Sequence, residues 1–182
     1  MNVSKTKGDK DILRKIKNGK VYIIINKRKD HDSKDDKIIE HLIQKLRLNG
    51  VYITLNRDCS KTLSLMKKRG IDISKLHIVG CKSSKTKKDT SYISFINNES
   101  IIELSFKITN ITNTGIYHFL VFDSVSDLVD KNGLKITEKF TEYLINKLKS
   151  LNLTGIFIFK NDRKSKGIIK AVSKLCDKRI II

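Results

Sequence analysis

Apolar residues recur along this chain in two patterns that alternate. The first is a short continuous run of strand length, rich in β-branched residues: VYIII (21–25), VYITL (51–55), LHIVG (76–80), YHFLVFD (117–123), GIFIF (155–159) and KRIII (178–182). The second is a helical spacing. Ile38, Ile39, Leu42, Ile43 and Leu46 share a face that Gly50 ends, and a helix follows from a Ser60 cap to Gly70. Further helices are predicted over 98–112, over the stretch marked by Ile136, Phe140, Leu144, Leu148 and Leu151, and over 165–176. Strands that read as apolar throughout are buried on both faces, and helices between them are the crossovers a parallel sheet needs. The expected fold class is α/β, layered around a mainly parallel central sheet. The segment CKSSKTKKDTS (81–91) lacks any apolar period and reads as a loop. No repeat or linker divides residues 20–182, which read as one domain behind a basic N-terminal arm or helix over 1–19.

Composition adds a strong charge. Thirty-eight Lys and Arg against nineteen Asp and Glu give a formal net charge of +19 in 182 residues. Such a surplus favours polyanions, anionic surfaces or acidic partners, and a lysine-rich composition bias is the plainer account of it. The first twenty residues hold no apolar core of signal-peptide length, and no run approaches the roughly 18 residues of a membrane span. Cys59, Cys81 and Cys176 are odd in number and stand far apart, without metal-binding spacing, so they read as reduced thiols in or near the core. These features predict a cytoplasmic protein with no bound cofactor, no metal and no membrane contact.

The chemistry-bearing pattern is FLVFDSVSDL (119–128), a buried strand that ends on Asp123 beside Ser124. In nucleotide-hydrolysing proteins such an acid sits beside a magnesium ion and a triphosphate. The phosphates themselves need a glycine-rich loop ending in Lys and Ser or Thr, directly after a strand. After the first strand this chain reads NKRKDHDSKDDK, with no glycine and with Asp30, Asp32, Asp35 and Asp36 where phosphate would have to approach. Gly19 and Lys20 precede that strand and are followed by Val21, which has no hydroxyl.

The order of these segments resembles the RecA superfamily of ATPases, and in particular its KaiC-like branch, common in archaea. NGVYITLNRDCSKTLSLMKKRGID resembles the second strand and helix of that branch, and HFLVFDSVSDLV its Walker B strand with the following Asp-Ser. ITEKFTEYLINKLKSLNLTGIFIF resembles the next helix and strand, and AVSKLCDKRIII the closing segment, so the likeness runs over about 20–182. It implies a RecA-like three-layer sandwich, with Asp123 and Ser124 as the Walker B remnant. The departures are the missing Walker A loop and the pair of glutamates that usually ends the second strand in KaiC-like ATPases. Asn56 and Arg57 stand at those positions, and neither takes a proton from water. The resemblance therefore implies a degenerate ATPase that does not hydrolyse ATP, with Asp123 as a retained acid that pairs locally.

Other catalytic constellations are absent from the sequence pattern. His31, His41, His77 and His118 are scattered, and no nucleophile elbow or HExxH occurs. What remains is basic charge in the loops that leave the strand ends: Lys27, Arg28 and Lys29, then Lys82, Lys85, Lys87 and Lys88, then Lys160, Arg163, Lys164 and Lys166. These form a candidate anion-binding rim at the edge where open α/β sheets bind ligands. Tyr92 is the nearest aromatic residue, so any nucleic-acid contact there would be non-specific. Two functions are expected. The first is a regulatory or assembly module with a protein partner or self-association, since KaiC-like proteins form rings or filaments. The alternative is non-specific nucleic-acid or polyanion binding through the rim.

Overall fold

The computed structural model of the chain describes residues 13–26, 32–81, 89–97 and 100–182. Seven strands form one sheet: β1 (Val21–Asn26), β2 (Gly50–Thr54), β3 (Leu76–Cys81), β4 (Ile93–Ile96), β5 (Phe119–Asp123), β6 (Thr154–Lys160) and β7 (Lys178–Ile181). Their order is β4-β3-β2-β5-β6-β1-β7 and every pairing is parallel. The helices are α1 (Asp32–Glu40), α2 (Cys59–Lys68), α3 (Ile101–Thr112), α4 (Val125–Asn132), α5 (Leu134–Ser150) and α6 (Ser165–Ser173).

The layers follow from strand alternation. Along β1, Val21, Ile23 and Ile25 face one hydrophobic cluster, while Tyr22 and Ile24 face another. The first cluster holds the apolar faces of α3, α4, α5 and α6. The second holds those of α1 and α2, with Leu42 and Ile43 from the π-helical turn His41–Lys45 that continues α1. The result is a three-layer α/β sandwich around a parallel sheet, as the alternation of runs predicts. Leu13 and Ile16 pack on the second cluster, and the Tyr22 hydroxyl ties this stretch down by accepting from Lys17 N and donating to Lys15 O.

Local sequence accounts for most element ends. In α2 the cap is Asp58, whose carboxylate accepts from Lys61 N at 2.8 Å, and not the expected Ser60. In α3 Ser100 Oγ caps Glu103 N, and the Glu103 carboxylate reaches back to Asn97 N at 2.8 Å. Gly133, at φ 76°, makes the turn between α4 and α5 in a conformation that side chains resist. Two elements went unread in the pattern. β4 is four residues long, and its outer edge is closed by Asp89 accepting from Phe95 N and by Thr90 bonding to Ile93. α4 begins one residue after Asp123, with Ser124 as its N-cap, and buries Ser126 and Asp127 beside Val125 and Leu128.

Candidate functional site

β5 ends on Asp123, which lies opposite Thr54 at the end of β2. The helices that follow β1 and β5 lie on opposite faces of the sheet, so the strand ends between them open where ligands bind in this class. Asp123 is 7% exposed, and its Oδ2 accepts a hydrogen bond from the Tyr52 hydroxyl at 2.7 Å. The same oxygen stands 3.1 Å from Nη2 of Arg57. Nη1 of Arg57 stands 3.6 Å from Oδ1 of Asp36, a buried acid on α1. Asp36 in turn pairs with Arg69, the residue that closes α2. Two buried carboxylates thus alternate with two guanidiniums. The planar fork of arginine suits this role, because it can address two acids with separate N–H groups.

Beside this chain lies a second polar seam. The Asp123–Ser124 peptide is cis, and the Ser124 hydroxyl donates to Asp127 Oδ2 at 2.7 Å. Asp127 also pairs with Lys160 at the end of β6. Ser126 Oγ accepts from Lys160 N at 2.9 Å and shares a 2.7 Å bond with Ser165 Oγ. Asp162 accepts from Ser165 N, so the loop from β6 to α6 is pinned to α4 at several points.

The residues around Asp123 and Ser124 do not fit the magnesium and triphosphate that such an acid serves in nucleotide-hydrolysing proteins. Magnesium needs several oxygen ligands in near-octahedral array. Here Asp123 Oδ2 is engaged by a phenol and a guanidinium, Ser124 is committed to Asp127, and a fixed positive charge stands beside the acid. Among the described residues no group of three His, Cys, Asp or Glu side chains is placed to hold a metal.

The structure brings Asp123 and Arg57 into contact, whereas Asn56 is exposed and Ser124 belongs to the second seam. Of the candidate anion-binding residues, Lys27, Arg28, Lys29, Lys82, Lys85, Lys87 and Lys88 lie outside the described residues. Lys160 and Lys164 are turned to Asp127 and Asp130, while Arg163 and Lys166 are exposed. The Asp130 bridge holds its carboxyl below the usual range and raises Lys164. Sequence reading missed Tyr52, Asp36 and Arg69. Two signals were available: a tyrosine in a fully buried strand needs a partner for its hydroxyl, and Asp36 sits three residues before Ile39 on an apolar stripe.

The histidines and cysteines stand apart from this site. His77 Nε2 pairs with Ser94 Oγ across β3 and β4 at 2.9 Å, and His118 precedes β5 at the surface. His41 is half-buried in the π-helical turn, and His31 lies outside the described residues. Burial pushes the Cys176 thiol up to about 12, which suppresses its thiolate. A cleft of about 550 Å³ lies at the opposite end of the sheet, lined by Asn18, Thr112, Tyr117, His118 and Asn152 among others. No helix among the described residues is long and apolar enough to cross a membrane.

No family model matches the chain, and no curated protein matches it in sequence. Among solved structures it is similar to a KaiC-like protein from the hyperthermophilic archaeon Pyrococcus horikoshii OT3. The TM-score is 0.64 at 15% sequence identity, over 91% of this chain and 72% of that one. Strand order, layers and this likeness together establish that the chain has the KaiC-like, RecA-type fold.

Proposed function

We propose that this chain is a non-hydrolysing domain of KaiC-like fold that acts by binding, as a regulatory or assembly module. The observation that carries the reading is the Arg57 guanidinium set between Asp123 and Asp36. An acid that would serve a nucleotide-bound metal is neutralised from within, and the position that matches an activating glutamate supplies the neutralising cation. Loss of the chemistry with the fold kept intact leaves surfaces as the functional part. The inference from fold to assembly is one of analogy, because one fold hosts many functions.

Light scattering on the purified chain at moderate salt tests the assembly role, and it predicts a defined oligomer, alone or with a KaiC-like partner subunit. A chain that stays monomeric in both conditions and hydrolyses ATP above background, with the activity lost in Asp123→Ala, would overturn the proposal. The second reading, polyanion binding at the strand-end rim, draws less support from the described rim. Lys160 and Lys164 are spent on acids of α4, which leaves Arg163 and Lys166 as its cations with no acid partner among the described residues.

A further inference from the structure

The two rim cations left without an acid partner among the described residues, Arg163 and Lys166, belong to a longer array. α6 buries Ser165, Ile168, Ile169 and Val172 against the first cluster. At 100° per residue, the centre of the opposite face falls among Lys166, Lys170 and the helical C-cap residue Lys174, which occupy an arc of about 80°, and Arg163 stands in the turn two residues before the helix. All four are exposed, and none has an ion pair or side-chain hydrogen bond among the described residues. From Lys166 to Lys174, eight residues at 1.5 Å each spread the three lysines along about 12 Å. No acid interrupts the sequence between Arg163 and Lys174. The acids that flank it are engaged: Asp162 caps Ser165 N, and Asp177 accepts from Val21 N and pairs with Lys20. Arg179 extends the array. It lies in register with Ile23, on the side of the sheet that α6 covers, and it is exposed.

Helix stability does not account for this arrangement. Lys170 and Lys174 near the C-terminus are favoured by the helix dipole, but Arg163 and Lys166 crowd the N-terminus, where cations are disfavoured and where α6 has no acid in its first turn. A membrane surface is a poor fit, because a helix lying on lipid offers large apolar side chains outward, and those of α6 point into the core. A linear array of cations with no aromatic residue among them suits a repeating phosphodiester backbone read without regard to base.

We propose that the outer face of α6, with Arg163, Lys166, Lys170, Lys174 and Arg179, binds the backbone of nucleic acid without sequence preference. This rests on the polyanion reading and moves its surface from the strand-end rim to a helix face.

The test is fluorescence anisotropy of a labelled short duplex, and of the matching single strand, between roughly 50 and 200 mM salt. The variants are K166Q/K170Q/K174Q and a control of equal charge, K61Q/K67Q/K68Q, on α2 across the sheet, with thermal melts of both to check folding. Expected is a loss of tenfold or more in the α6 variant and a log–log salt slope shallower by about 2 to 3, near 0.9 per lysine on duplex. The control should change less than threefold. Equal losses in both variants, with the wild type binding, would overturn the α6 assignment and leave the polyanion reading standing. Absence of wild-type binding at the lower salt would overturn both. Tighter binding to phosphatidylserine vesicles than to either oligonucleotide would overturn the choice of partner.

Discussion

Nη2 of Arg57 stands 3.1 Å from Oδ2 of Asp123, the same carboxylate oxygen that accepts the Tyr52 hydroxyl. A residue from the loop after β2 therefore supplies the positive charge for an acid at the end of β5, and its other nitrogen faces Asp36. The strand ends are thereby tied to α1 by side chains alone. Opposite charges are paired within the chain.

Removing that cation should be costly. In Arg57→Ala two buried carboxylates lose a shared partner, with Asp36 keeping Arg69 and Asp123 keeping Tyr52. The expected destabilisation is about 3 kcal/mol by urea unfolding. Arg57→Lys should recover only part of it, since an ammonium is a point charge and not a fork. A loss below about 0.5 kcal/mol in Arg57→Ala would mean that the pair contributes no more than a surface bridge.

Gly80 is required by a close approach. A Cβ there would stand 2.2 Å from Cys59 Sγ and 3.1 Å from the Thr54 carbonyl oxygen. Gly80→Ala should destabilise by about 1–3 kcal/mol through overpacking. In a Cys59→Ala background the sulfur is gone, and most of that cost should vanish. The double-mutant cycle by chemical denaturation reads the coupling directly, and an equal cost in both backgrounds would place the strain in the backbone.

Two histidines give the fold a dependence on pH. Burial first, then the charge of Lys107, holds His77 below its usual 6.5, with the Ser91 backbone and Asp89 opposing. Burial and Lys45 do the same for His41. The unfolded chain binds a proton more readily than the folded one between the lowered values and about 6.5, so stability falls as pH drops through that window and is unaffected above it. NMR titration should find both midpoints under 6.5. His77→Gln, which can keep a bond to Ser94, should flatten the dependence.

Much of the fold was legible because strands buried on both faces write themselves as unbroken apolar runs: β1, β2, β5 and β6 could be read directly. β4 could not, for a four-residue edge strand with polar Ser94 inside it carries too little pattern. α4 was hidden because its buried face includes the polar residues Ser126 and Asp127, held in by hydrogen bonds to Ser165 and to the N-cap Ser124. At the site, Asp123 and Arg57 were legible as positions but their pairing was not. It depends on β2 and β5 lying side by side, which sets Thr54 opposite Asp123 and brings the loop after β2 to the acid, and no spacing in the sequence announces that strand order.

We propose that the strand-end site, filled by the chain's own Arg57, does not take magnesium and ATP. Isothermal titration of the wild type with ATP and magnesium tests it most directly. Expected is no saturable, magnesium-dependent heat up to millimolar nucleotide. Saturable binding in the micromolar range that requires magnesium, and that Asp123→Ala abolishes while the fold survives, would contradict it.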